Sequence, residues 1–264
     1  MQERHSNRQK YFDEQVYTTQ KYVVPFISEF LEMNSTINVL EIGCGEAGNL
    51  KPFVDLGCKA TGIDLSQSKI ESGKVFYANH PNKQNLVLIA QDIYKTGDDF
   101  NQHFDLIIMR DTIEHIPNQE MFMGFVKKFL KPAGLFFLAF PPWQSPFGGH
   151  QQVCRNKFLS ALPYFHLLPR FLYTGVLMLF GESGDTVQNL LEVKSTGISI
   201  DRFNRITEKE SYDVNKVVHY FINPNYEIKF KLRPRRQLKF IAGIPVLRNF
   251  MVTASYYLIS LKKK

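Results

Sequence analysis

Between residues 37 and 140 the apolar positions alternate between short continuous runs and stretches spaced like one face of a helix. The runs predict strands over 37–42, 59–63, 86–90, 104–109 and 134–140, and the spaced stretches predict helices near 47–56, 67–79 and 119–130. Asn118, directly after Pro117, suits an N-cap, and Pro132-Ala133-Gly134 reads as the turn into the fifth strand. Strands and helices in strict alternation predict a parallel sheet with helices on both faces.

On either side the rhythm changes. Residues 1–10 are polar and read as a frayed tail. From Tyr11 to Met33, Phe12, Val16, Val23, Phe26, Ile27, Phe30 and Leu31 have helical spacing, which Pro25 divides into two helices. Tyr11 and Tyr17 either line a site or pack in the core. Beyond Pro142 the chain reads as an insertion, 143–200, before the next helix. It has a polar Gly/Pro-rich stretch from Gln144 to Gln152, an apolar stretch from Phe158 to Phe180, and a polar stretch from Gly181 to Gly197. Such a segment serves as a lid over a bound molecule or packs as a hairpin on the sheet edge. Glu208 to Ile222 reads as a helix. Tyr226, Ile228, Phe230 and Leu232 alternate as in a strand, and Thr253 to Leu261 reads as the last strand. The expected organisation is one domain: helices over 1–36, a binding core over 37–142, the insertion over 143–200, and a helix with two strands over 201–264.

The stretch Val39 to Leu50 carries the candidate chemistry. Gly43, Gly45 and Gly48 match G-x-G-x-x-G between a strand and a helix, a form that lets the backbone approach a nucleotide. Asp64 ends the second strand about twenty residues after Gly45, where a carboxylate grips a ribose. A dinucleotide and S-adenosylmethionine both fit. Glu41, two residues before the turn, favours the second. It would repel a pyrophosphate but attract a sulfonium or an ammonium.

Glu41-Ile42-Gly43-Cys44-Gly45, Asp64, Gln91-Asp92-Ile93 and Phe104-Asp105-Leu106-Ile107-Ile108-Met109-Arg110-Asp111 resemble the successive motifs of class I S-adenosylmethionine-dependent methyltransferases, nearest the small-molecule branch that includes quinone-biosynthesis enzymes. The resemblance covers residues 37–142 well and the rest loosely. It implies a doubly wound, Rossmann-like sheet of seven strands, mostly parallel, with the last strand antiparallel between the fifth and sixth, and with the insertion as a helical lid. It implies that Glu41, Gly43, Cys44 and Gly45 face the donor, that Asp64 holds the ribose hydroxyls, and that Leu65 packs beside the adenine. Asp92 would meet the adenine amino group and Ile93 would cover the ring. Arg110 would pair with the methionine carboxylate, or instead with Glu41 or Asp111. The product would be S-adenosylhomocysteine, and no metal is expected.

For a general base the candidates are His115, in Glu114-His115-Ile116, and His150, in a glycine-rich loop beyond the fifth strand. His115 has the alternative of shaping the site without taking a proton. Phe140-Pro141-Pro142-Trp143 lacks the polar first residue that amino-methylating nucleic-acid enzymes use. Amino methylation of adenine or cytosine is therefore rejected, and Pro142 and Trp143 are expected to line a mainly aromatic acceptor pocket.

The net charge of +7 permits nucleic acid, anionic lipid or an anionic metabolite as partner. Arg233, Arg235, Arg236 and Lys239, interleaved with Leu238, Phe240 and Ile241, could touch anionic headgroups or form an ordinary loop. Three cysteines without C-x-x-C spacing indicate neither a disulfide framework nor a zinc site. With a charged start at Met1 to Lys10 and no run of about twenty apolar residues, this points to the cytoplasm. The expected function is methyl transfer to a small, partly apolar acceptor. A nucleic-acid methyltransferase and a non-catalytic S-adenosylmethionine-binding module are the alternatives. The sequence sets no oligomeric state.

Overall fold

The computed structural model describes residues 7–262. The part of the expected frayed tail over 1–6 lies outside them, and Arg8–Thr18 is already helical. The strands are β1 (Asn38–Ile42), β2 (Lys59–Asp64), β3 (Leu86–Ala90), β4 (Phe104–Arg110), β5 (Leu130–Phe140), β6 (Tyr212–Ile222), β7 (Arg235–Arg236) and β8 (Ala254–Leu261). They form one sheet in the order β3-β2-β1-β4-β5-β8-β6-β7. β1 to β5 pair in parallel, and β8 lies antiparallel between β5 and β6. This is the Rossmann-like arrangement, with two-residue β7 added at the edge beyond the seven expected strands. Strand order reverses between β1 and β4, so the crevice at their carboxyl ends is where a ligand binds in such sheets.

Alternate residues of the central strands feed opposite cores. Val39, Leu106, Ile108, Phe137 and Leu258 pack with Phe12, Val23, Phe26 and Ile27 of the N-terminal helices. Leu40, Ile107, Phe136, Leu138 and Ile259 pack with Phe122 and Val126 of helix Gln119–Val126 and with Phe203 and Ile206 of helix Ile200–Lys209. The insertion has its own core of Leu159, Phe165, Tyr173, Leu177, Val187 and Leu190, contributed mainly by helices Lys157–Ala161, Arg170–Leu179 and Gly184–Thr196.

Four expectations are corrected. Glu208 to Ile222 is no helix: helix Ile200–Lys209 ends there, and Tyr212–Ile222 is a strand paired with β8 along its length. Val214, Val217, Val218, Phe221 and Ile222 also recur at helical spacing, but the valines are β-branched, and the edge that β8 offers decides for a strand. Tyr226 to Leu232 is no strand. Asn225–Phe230 is helical after Pro224, and Tyr226 and Phe230 meet edge to face one turn apart with centroids 5.2 Å apart. Pro132-Ala133-Gly134 lies within β5 as a bulge, since pairing with β4 jumps from Leu130 to Leu135. The two helices expected around Pro25 divide earlier than it: a π-helical turn, Thr19–Val23, joins Arg8–Thr18 to Val24–Ser28, and Pro25 sits in the first turn of the second.

Candidate active site

The glycine turn follows directly from β1. Gly43 has φ +75°, and the N–H groups of Gly43 and Cys44 both donate to the Ile63 carbonyl at 2.8 and 3.0 Å, clamping the turn onto the end of β2. A Cβ on Gly43 would lie 2.5 Å from the Thr112 side chain, so no other residue fits without displacement. Gly48, the third glycine, is pressed against the N-terminal helix, where a Cβ would lie 2.7 Å from the Phe12 carbonyl oxygen. Asp64 holds the turn from the other side. One carboxylate oxygen accepts from Gly45 N–H at 2.9 Å, and the other accepts from Ser66 N–H at 2.8 Å.

Beneath the turn lies a buried polar chain. The Asn49 amide donates to Glu41 Oε1 at 2.6 Å, and its carbonyl accepts from Arg110 at 2.6 Å and from Thr19 Oγ1 at 2.9 Å. Arg110 also donates to Thr19 Oγ1 at 3.0 Å. Arg110 therefore reaches Glu41 through Asn49 rather than directly. Loss of solvent pushes the Glu41 carboxyl up to about 8, opposed by the Asn49 hydrogen bond and the Arg110 charge. Glu41 Oε2 is buried with no hydrogen-bond partner among the described residues.

Past β4 the chain enters a left-handed residue, Asp111, and a short turn, Ile113–His115. Glu114 is buried, neither oxygen has a hydrogen-bond partner among the described residues, and Oε1 lies 3.8 Å from His150 Nε2. Burial, reinforced by the Asp111 charge, raises the Glu114 pKa well above the usual carboxylate range. The His115 and His150 rings meet edge to face with centroids 4.9 Å apart, and burial lowers the His115 pKa. The two histidines, distant in sequence, thus form one group with Glu114. Their ligand atoms lie within 4.8 Å of one another, so the group has the donors to hold a cation as well as to move a proton.

These pieces line one cleft of about 970 Å³, which runs from Gly43, Gly45 and Asp64 past Arg110 and His115 to His150. Its far end is walled by Val153, Ser160 and Ala161 of the insertion and by Tyr226, Phe230 and Leu232. The expectation of a mainly aromatic pocket is corrected. Arg8, Glu46, Asp64, Lys69, Arg110 and Lys229 share the lining, and its aromatic residues besides the histidines are Tyr11, Phe147, Tyr226 and Phe230. Pro142 and Trp143 are corrected too. Pro142 is buried, and the Trp143 ring packs on His166 and Gly197 while the Trp143 backbone N–H donates to the Ile198 carbonyl at 2.8 Å. Trp143 anchors the insertion to the sheet and does not line the cleft.

Other sequence candidates fall outside the cleft lining. Cys44 contributes backbone only: its buried thiol, raised by desolvation, packs where β2 has Gly62. Ile93 is in the core, Asp92 accepts from Tyr94 N–H at 3.0 Å, and Leu65 is exposed beside Asp64. Tyr11 lines the cleft, whereas the Tyr17 hydroxyl donates to Glu227 at 3.0 Å. Asn49 and Thr19 were missed as site residues. Asn49 had a signal, since it stands inside the glycine stretch. Thr19 had none, because only the folded N-terminal helix brings it there.

A donor ligand can be tested against this lining. Gly45 faces the cleft, with nothing closer than Lys69 Cδ at 3.9 Å to a Cβ built on it. Glu41, Glu46 and Asp64 surround the turn, and Glu41 keeps an unpaired oxygen. A cationic adenosyl ligand fits these acids, and its carboxylate fits Arg110 in the same lining.

Fold and site define a Rossmann-like α/β protein with a crevice for an adenosyl ligand. The chain belongs to the methyltransferase domain family, whose sequence profile matches residues 12–161. It is 32% identical over 170 residues to a ubiquinone biosynthesis O-methyltransferase of Bartonella bacilliformis, covering 58% of this chain and 65% of that one. It is 30% identical over 112 residues to sterol 4-C-methyltransferase strm-1 of Caenorhabditis elegans, covering 42% of this chain and 33% of that one. The matches span less than two thirds of either relative's length. The fold is shared with a SAM-dependent methyltransferase structure from Aquifex aeolicus at 13% identity, TM-score 0.54, covering 97% of this chain and 98% of that one.

Proposed function

We propose that the cleft binds S-adenosylmethionine and that the protein transfers its methyl group to a hydroxyl of a small, partly apolar acceptor. The observation that carries this reading is the continuity of the cleft from the Asp64-clamped glycine turn to the His115–His150 pair. When bound, the donor supplies a methyl group already activated on a sulfonium. Asp64 would hold the ribose, and Arg110 the donor carboxylate. Beyond the cleft, exposed Leu65 would pack beside the adenine and Asp92 would meet its amino group, with Ile93 beneath them in the core. The insertion acts as the lid, excluding water from the acceptor end. His150 takes the acceptor proton as the oxygen–methyl bond forms. His115, kept neutral by burial, packs against it and fixes its orientation. The O-methyltransferase relative supports an oxygen acceptor. Amino methylation of adenine or cytosine is disfavoured, as Phe140 has no polar atom to receive the amino group.

Calorimetry should show S-adenosylhomocysteine and S-adenosylmethionine binding and no NAD binding. S-adenosylmethionine binding should also release protons. The Glu41 carboxyl, at about 8, is mostly protonated at pH 7, and a nearby cation favours its charged form. Affinity should therefore tighten as pH rises from about 7 to about 8. Observed enthalpies should differ between buffers of unlike ionisation heat, and Glu41→Gln should remove that difference. NAD binding without S-adenosylhomocysteine binding would end this reading.

His150→Ala should lower the turnover number by roughly a hundredfold or more while leaving S-adenosylhomocysteine affinity unchanged. Burial lowers the His115 pKa, so His115 stays neutral beside the base, and His115→Ala should lower turnover less than His150→Ala does. Chelator should not affect the rate. Loss of activity with chelator, restored by a divalent cation, would instead make Glu114, His115 and His150 metal ligands.

A further inference from the structure

Two segments border the far end of the cleft, and both combine exposed apolar side chains with an absence of acids. Residues 155–181 hold three Lys/Arg and no Asp or Glu, and residues 228–251 hold seven Lys/Arg and no Asp or Glu. In the first segment Phe171 is 74% and Leu179 81% exposed; in the second Phe240 is 68% and Leu238 60% exposed. The segments touch each other, since the Tyr164 hydroxyl donates to the Phe250 carbonyl at 2.9 Å. Both reach the cleft, through Ser160 and Ala161 on one side and Phe230 and Leu232 on the other.

We propose that these segments form one face that docks on an anionic lipid bilayer, with the cleft opening at the docked edge. Arg233, Arg235, Arg236 and Lys239 are exposed and meet the headgroups, while Phe171, Leu179, Leu238 and Phe240 enter the headgroup–acyl boundary. A second copy of the chain is a poor occupant, because a two-fold contact would set two acid-free basic surfaces against each other. RNA would meet the arginines but leave the aliphatic side chains without a partner. No helix among the described residues is long and apolar enough to cross a membrane, so the contact is with the surface. An acceptor dissolved in lipid would then reach the His150 end without crossing water. The docking itself is measured without donor or acceptor, so its failure leaves the methyltransferase reading standing.

The test is co-sedimentation of the full chain with phosphatidylcholine vesicles, with and without phosphatidylglycerol. Binding is expected only with phosphatidylglycerol and should fall as salt is raised. Arg235→Glu with Arg236→Glu should weaken it at least about tenfold, since each basic residue near such a surface contributes about 1 kcal/mol. Phe171→Ser with Phe240→Ser should also weaken it, and this loss should persist at low salt. All four positions are exposed, and unchanged thermal unfolding will show that the fold is kept. No binding to either vesicle, equal binding to both, or a dimer in light scattering that the Phe171→Ser/Phe240→Ser variant dissolves would overturn the proposal. So would tight, salt-sensitive RNA binding that the serine substitutions leave intact.

Discussion

Asp64→Ala should weaken S-adenosylhomocysteine binding by at least tenfold, and by about a hundredfold if both of its roles are lost together. The carboxylate already accepts Gly45 N–H and Ser66 N–H, one on each oxygen. Each oxygen keeps a further acceptor site, so it can order the turn and take ribose hydroxyls at the same time. Hydrogen bonds to a charged acceptor contribute about 1.5–3 kcal/mol each, and 1.4 kcal/mol is tenfold in affinity. Alanine removes the ligand bonds and releases the turn. Asparagine should be little better, because its amide must point N–H groups at either Gly45 N–H or Ser66 N–H. Calorimetry checks this, with the thermal midpoint as control for folding. An unchanged affinity for both variants would mean that the acid-ended β2 does not hold the ligand.

Asn49→Ala should cost the fold about 3 kcal/mol and lower the thermal midpoint by roughly 5–10 °C. Asn49 is 2% exposed and is the link between Glu41 and Arg110, both also buried. Its amide is polarised to match, with N–H toward the carboxylate and carbonyl toward the guanidinium. Alanine leaves a buried carboxyl and a buried guanidinium each short of a partner, and no nearby side chain replaces the amide. Asn49→Asp should also destabilise, since it sets a second carboxylate against Glu41 Oε1. Donor affinity should fall together with stability, because Arg110 loses the contact that aims it. A stability loss under about 1 kcal/mol in denaturant unfolding would show that the chain does not depend on this bridge.

What the sequence determined by itself was the part of the site built from near neighbours along the chain. The β1 run, the glycines and the acid ending β2 are local signals. A left-handed turn needs glycine whatever surrounds it, and a buried parallel strand needs an unbroken apolar run. The parallel core from β1 to β5 follows from the same logic, whereas the place of β8 between β5 and β6 was an implication of the family resemblance.

Tertiary structure decided the rest. β6 is a strand because β8 offers it an edge to pair with, and eleven residues of mixed polarity carry no period that would say so. Tyr226 to Leu232 alternates, yet it turns helical after Pro224, where Asn225 meets Thr18 of the N-terminal helix at 3.3 Å. The third glycine is needed by a helix some thirty residues earlier in the chain. Trp143 appeared to face an acceptor, but the insertion needed its ring as an anchor. Glu41 is joined through Asn49 to Thr19 and Arg110, which come from the N-terminal helix and from β4. The joining of His115 with His150 depends on a loop closing over the end of β5. Local preferences along a chain set periods and turns. Which buried polar groups find one another is decided only when the elements pack, because burial is what makes an unpartnered group costly.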